Sequence, residues 1–225
     1  MQIRTPAVAG MFYPNQTQEL KKLVRDCFLH PLGPGKLPPT EDKKKIYGVI
    51  CPHAGYVYSG PIASHSFYAI SSKPVDLFII VGPNHWGIGC NVASMKDSGW
   101  DTPLGTVQVD SESVNNLLKI SEILEVDFFS HTKEHSLEVQ IPFLQEFFSN
   151  EFKILPIALI DQTKTTAIEL GKSIAKIAKI NNSMIIGSSD FTHYEPNDFA
   201  YKQDTALIEP ILELNIDRFY EVLKE

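Results

Sequence analysis

The chain has 225 residues, enough for one large α/β domain or two small ones, and sets 20 Lys and Arg against 27 Asp and Glu for a formal net charge of −7. That balance argues against sequence-independent binding to nucleic acid or anionic lipid and points to a small-molecule or peptide ligand. Three dispersed cysteines (Cys27, Cys51, Cys90) without a CxxC pair exclude a disulfide framework or zinc ribbon, and no apolar stretch approaches about 18 residues, so a soluble cytoplasmic protein with no membrane segment is expected.

In chain order, Ala7 to Pro14 (AVAGMFYP) has no helical period and ends in a turn signal. Leu20, Leu23, Val24 and Cys27 then recur at spacings of three and four, which predicts an amphipathic helix over Thr17 to Leu29. Pro31 to Lys45, rich in Pro, Gly and charge, reads as an exposed loop. The run from Gly48 reads as a buried strand that breaks at Pro52 and presents His53. Gly60 to Ile70 is the expected crossover helix to a second strand, Leu77 to Val81, making a βαβ unit. Asn91 to Val109 reads as a loop through Gly99 to Gly105 entering a short strand or hairpin, and Ser111 to Leu118 as a helix. Leu137, Ile141, Leu144, Phe147 and Phe148 form an apolar stripe, with Pro142 near a helix start. Strand Phe152 to Ala158, helix Thr165 to Ile180, strand Met184 to Gly187 and helical Lys202 to Leu214 and Ile216 to Leu223 complete an α/β pattern.

Ionisable residues follow several of these strands, and in open α/β sheets ligands bind beyond the strands' carboxyl ends. Because neighbouring strands lie about 4.8 Å apart, His53 and His85 can converge on one ion. Two neutral imidazoles suit Fe, Cu or Zn, and one carboxylate would complete a non-haem iron arrangement; the competing reading is that each histidine caps its own turn. Asp190 and His193, three apart after a third strand, can work as a general base pair, although Ser188, Ser189 and Asp190 are also ordinary helix N-cap residues. His131, Glu134, His135 and Glu138 contain the HxxEH order of an inverted zincin, held as an alternative. His30 and His65 read as structural or solvated, Cys51 as a small buried hydrophobe, and Tyr56, Tyr58, Trp86 and Trp100 as either pocket lining or core.

Taken together, PHAGY (Pro52 to Tyr56), GPNH (Gly82 to His85), TPLG (Thr102 to Gly105), EHSLE (Glu134 to Glu138), SSDFTH (Ser188 to His193) and the opening AGMFYP resemble the Memo family, also called AmmeMemoRadiSam system protein B. The resemblance implies an α/β fold with a mostly parallel or mixed central sheet flanked by helices, related to the class III extradiol dioxygenases (LigB-like). It implies a metal site in which His53 and His85 are ligands to Fe(II) or Cu, with Zn also open, and in which His135, Asp190 and His193 line the pocket as catalytic groups. Glu134, Tyr56 and Asn84, inside the same motifs, are expected to contact substrate. Family members are described as copper- or iron-dependent redox proteins, as phosphopeptide-binding partners and as predicted dioxygenases.

In the family the chain continues beyond the helices near Leu223, with a Cys-Gly motif carrying a third metal ligand; here it stops at Glu225. The expectation is therefore a single domain over residues 1–225, either a fragment or a shortened variant of the family's, with Asp190 a candidate replacement third ligand and an open C-terminal edge favouring a homo-oligomer. Three functions follow: a metal-dependent oxidoreductase, a metal-free module binding a phosphorylated or carboxylate peptide, and a metal-dependent hydrolase.

Overall fold

A computed structural model describes residues 2–38, 46–71, 74–148 and 151–224. In chain order these form β1 (Gln2–Arg4), α1 (Thr17–Leu29), β2 (Gly48–Cys51), α2 (Tyr56–Ile70), β3 (Leu77–Pro83), β4 (Val92–Ser94), β5 (Ser98–Thr102), β6 (Gly105–Val109) and α3 (Ser111–Ile120). There follow β7 (Glu125–Val126), α4 (Phe129–Thr132), a 3-10 turn (Glu138–Gln140), α5 (Ile141–Phe147), β8 (Lys153–Leu159), α6 (Lys164–Ile180), β9 (Ser183–Ser188), α7 (Asn197–Leu212) and α8 (Ile216–Val222). The part of the expected 31–45 loop at residues 39–45 lies outside the described residues.

The unalternating Leu-Phe-Ile-Ile-Val run of β3 suits a strand covered on both faces, and its first four residues are buried. It pairs in parallel with β8 on one side and β9 on the other, and β2 lies parallel beyond β9. The sheet runs β1-β5-β6-β8-β3-β9-β2, with β4 antiparallel to the end of β8 and β7 alongside β4. This is a mixed, mostly parallel sheet flanked by helices, as the α/β expectation requires. The carboxyl ends of β2, β3 and β9 therefore open on one edge.

Three differences from expectation have local causes. Helix α2 begins at Tyr56, ahead of the expected Gly60, and runs through Pro61; Gly60 is needed because a Cβ there would lie 2.5 Å from Cys27 Sγ on α1. Gly99 to Thr102 is strand β5 rather than loop, forming a hairpin with β6 and a parallel pair with β1, and its Trp100 is fully buried beneath the Arg4 guanidinium, 4.3 Å from the ring centroid. Helix α7 starts at Asn197, ahead of the expected Lys202, and continues through Pro210.

Packing then fixes the frame. Phe67 stacks on Phe143 at 4.7 Å, and Tyr56 and Phe28 meet the same ring, locking α1, α2 and α5 into one aromatic cluster. Helices α7 and α8 bury only Pro210 and leave Phe199, Tyr201 and Leu212 exposed, as is Leu214 in the turn between them. No helix among the described residues is long and apolar enough to cross a membrane.

Candidate metal centre

Each of the three parallel strands delivers an ionisable side chain two residues past its end. Pro52 cannot donate to the ladder and ends β2, placing His53 beside β9, where its Nδ1 lies 2.9 Å from Ser188 Oγ. The His53 backbone N–H donates to Asp190 Oδ1, as does that of Ala54 at 3.1 Å. Asp190 thus ties the end of β9 to the entrance of α2 and does not cap the helix that follows it. Its Oδ2 stands 3.8 Å from His53 Nε2. Past β3, His85 donates from its backbone N–H to Glu134 Oε2 at 2.6 Å and from Nδ1 to Glu134 Oε1 at 2.9 Å. A carboxylate only accepts, so His85 carries its proton on Nδ1 and turns a bare Nε2 outward. Asn84 shapes this turn by donating to Ile88 O and accepting from Trp86 N–H.

The third histidine arrives from the loop after α4. Glu134 Oε1 accepts from the backbone N–H groups of His135 and Ser136, both at 2.8 Å, which turns His135 toward the other two rings. Phe12 braces it edge-on at 4.8 Å. Ring centroids lie 5.2 Å apart for His53 and His85, 5.6 Å for His53 and His135, and 4.7 Å for His85 and His135. One nitrogen from each ring falls within 4.8 Å of the others.

Burial pushes His53 down to about 4 against the opposing pull of Asp190, and lowers His135 against that of Glu134. His85 is raised, because its hydrogen bond to Glu134 outweighs its partial burial. Burial alone would raise Glu134, but hydrogen bonds from the His85 ring and from the Ser136 and His85 backbone hold it down to about 2. Near neutral pH, His53 and His135 are uncharged imidazoles, the form that ligates metal. With His85, whose Nδ1 is tied to Glu134, they make a set of three imidazole nitrogens that fits a first-row transition ion, the metal displacing any second proton on His85.

His193 does not join the trio: it is exposed, its Nδ1 bonded to Phe191 O at 3.0 Å, between Phe191 and Tyr194, both non-glycine residues at positive φ. It does line, with His53, His85 and Asp190, a cleft of about 630 Å³ walled by Val81, Leu159, Ile211 and Phe219. Tyr56 lies in the core with its hydroxyl donating to Val139 O at 2.6 Å, and Glu134 is fully buried with both oxygens engaged by the histidine loops. His131 is fully buried edge-on to Trp100 at 5.7 Å and pushed down to about 3 by burial and Arg4. Helix α4 ends at Thr132, so His131 and His135 share no helix, and the histidine group able to hold an ion takes in His135 but not His131. Cys27 and Cys51 are buried with thiols pushed up to about 12, and no cysteine enters the histidine group.

Several residues around the site take roles that the sequence did not assign them. Ser188, Ser136 and Gln140 sit behind His53, while Arg4 and Glu138 sit behind Glu134. Ser188 lies in the SSDFTH motif and Ser136 and Glu138 in EHSLE, whereas Arg4 and Gln140 fall in none of the motifs.

A family model for Memo-like proteins matches residues 4–225. A MEMO1 family protein of Nitrosopumilus maritimus is 55% identical over 223 residues, covering 99% of this chain and 80% of the relative. Another, from Methanocaldococcus jannaschii, is 48% identical over 229 residues, covering 97% and 79%. A third, from Methanopyrus kandleri, is 43% identical over 225 residues, covering 98% and 80%. The mostly parallel mixed sheet is the LigB-like architecture to which that family is assigned, and the chain belongs to the Memo-like protein family.

Proposed function

We propose that the chain is a metal-dependent oxidoreductase of the dioxygenase kind, with iron(II) or copper held by His53, His85 and His135. The observation that carries this reading is the meeting of three imidazoles, with ligand atoms within 4.8 Å, beside a mainly apolar cleft of about 630 Å³. When bound, such an ion supplies Lewis-acid and redox chemistry at the cleft floor. Val81, Leu159, Ile211 and Phe219 exclude water and suit the apolar or aromatic part of a substrate. Asp190 Oδ2, beside His53, and His193, on the wall, are the groups placed to take or return a substrate proton. Glu134 holds the His85 ring in place.

A metal-free peptide-binding pocket has less support. His53 and His135 are uncharged near neutral pH, and Glu134 and Asp190 add negative charge where a phosphate or carboxylate would have to sit. A redox-inert zinc ion would instead favour hydrolysis, and metal identity separates the two enzyme readings.

The test is elemental analysis of anaerobically purified protein, wild type and His53→Ala/His85→Ala, followed by oxygen consumption with catechol-type substrates. About one iron or copper per wild-type chain, lost in the double variant, is expected, with oxygen uptake only by the loaded wild type. Unchanged metal content in the double variant would sink the proposal.

A further inference from the structure

Behind His53 lies a closed group of polar atoms whose hydrogens can be assigned one by one. Gln140, 1% exposed, directs Nε2 at Pro52 O (3.0 Å), Ser188 Oγ (2.9 Å) and, more distantly, Ser136 O (3.4 Å). Two of these partners are carbonyls, which only accept, so the amide NH₂ and not its oxygen faces the group. Its two hydrogens go to the two near partners, Pro52 O and Ser188 Oγ. The Ser188 hydroxyl then has one hydrogen to give, and its shortest contact is Ser136 O at 2.7 Å, again an atom that only accepts. With that hydrogen committed, Ser188 Oγ meets His53 Nδ1 at 2.9 Å with a lone pair. The approach is close: at Gly82, a Cβ would lie 3.1 Å from both Ser136 Oγ and Ser188 Cβ, so any side chain there would press the two serines a few tenths of an ångström out of place.

From this accounting we infer that Ser188 and Gln140 are positioning residues that hold His53 in the Nδ1–H tautomer, leaving Nε2 bare toward His85 and His135. Free neutral histidine in water prefers the opposite tautomer, with the proton on Nε2. In this pocket that form would cost the Ser188 hydrogen bond and point a proton into the space where the three rings meet. Asp190 Oδ2, 3.8 Å from Nε2, is the acceptor that would draw such a proton if Ser188 were removed. His53 and His85 are thus held alike, each with Nδ1–H tied back, but by different chemistry: Glu134 acts through its charge, Ser188 through a neutral hydroxyl whose direction is set by Gln140.

The role of the bare nitrogen rests on the metal reading above; the tautomer does not. The experiment is two-bond ¹H–¹⁵N correlation spectroscopy on metal-free full chain with ¹⁵N-labelled histidine, followed by zinc(II) titration in competition with a chelator. Wild type is expected to show His53 as Nδ1–H. Ser188→Ala should move the proton to Nε2 and weaken zinc binding about 10- to 100-fold, and Ser188→Thr, which restores the hydroxyl, should recover both. A wild-type spectrum with His53 as Nε2–H overturns the inference whatever the variants do. So does a Ser188→Ala protein that keeps Nδ1–H and full zinc affinity. If the alanine variant does not fold, the wild-type spectrum still decides. Nδ1–H in wild type without zinc uptake would sink the metal reading and leave the tautomer assignment standing.

Discussion

Glu134 and Glu138 stand four residues apart, both fully buried, and their surroundings assign them opposite duties. Glu138 faces the amino-terminal segment: Arg4 Nη1 donates to its Oε2 at 2.5 Å, Ala7 N–H to the same oxygen at 2.7 Å, and Val8 N–H and the Tyr13 hydroxyl to Oε1. Glu134 faces the histidines, accepting from the His85 ring and from the backbone of His85, His135 and Ser136. In both cases a charge is tolerated indoors because both carboxylate oxygens are met by donors. What differs is the origin of those donors: one set closes the fold, the other aims ligands. Arg4 couples the two, since its Nη2 also donates to Glu134 O at 2.6 Å and its Nε to His131 O at 2.8 Å.

The largest effect should come from breaking the structural member. In Glu138→Gln, the new amide turns donor hydrogens toward Arg4 and Ala7 N–H or toward Val8 N–H and Tyr13, and leaves the buried guanidinium without its counter-charge. Removing one partner of a buried pair costs about 3–5 kcal/mol, so chemical denaturation should show a loss of that size. A loss below about 1 kcal/mol would mean that the Arg4 pair does not anchor the first strand.

The same contrast explains how much was legible in the sequence. Strand ends carrying His53, His85 and Asp190 could be read, because apolar runs that break into polar residues leave a local pattern, and so could α1, α3 and α6, whose apolar spacing is helical. Strand β1 could not: three residues have no period, and Arg4 looks like a solvated charge until Glu138, 134 positions away, is folded against it. Strand β5 was hidden because Gly99 and Asp101 read as turn residues, while the burial of Trp100 depends on Arg4. His135 was readable as a site residue, but its place beside His53 and His85 depends on long-range bonds from Glu134. Ser188 reads only as a helix N-cap candidate and Gln140 as nothing in particular, since a serine and a glutamine acquire a direction only from the carbonyls around them.

A smaller effect on the fold and a larger one on the site are expected for Glu134→Gln. The amide keeps one accepting oxygen but opposes a donor to the donors at its other end, so the His85 ring loses its charged partner. Zinc or iron affinity should fall about 10- to 100-fold, equivalent to about 1.4–2.7 kcal/mol, in the same titration. The effect also has a pH signature. Because the folded carboxyl is depressed to about 2 from an ordinary 4.5, its contribution to stability is intact above about 4.5 and is lost as pH falls toward 2. Wild type minus Glu134→Gln stability, measured without metal, should therefore hold between about 4.5 and the ordinary histidine value of 6.5, shrink below that window as Glu134 takes a proton, and shrink again above it as His85, which Glu134 raises, loses one. A difference that grows in acid would mean the carboxyl is not held ionised by His85 and the loop.

The smallest effect, and the sharpest test of whether the two carboxylates are independent, is Tyr13→Phe. It removes one hydroxyl donor from Glu138 Oε1 and leaves Val8 N–H on that oxygen and Arg4 on the other. The ring still packs on Tyr56, with centroids 5.5 Å apart. Burial, then the neighbouring Glu138 charge, raises Tyr13 from its ordinary value, so the hydroxyl is a donor throughout the working pH range and its loss is the loss of one hydrogen bond. Stability should drop by about 1–2 kcal/mol, with metal affinity unchanged. Tyr13 nevertheless adjoins Phe12, the ring that braces His135, and the turn holding both is closed by the Gly10 N–H bond to Tyr13 O at 2.7 Å. A tenfold fall in metal affinity in Tyr13→Phe would therefore show that slack at Glu138 reaches His135 through this turn, and that the structural carboxylate and the ligand-aiming one work as a single unit.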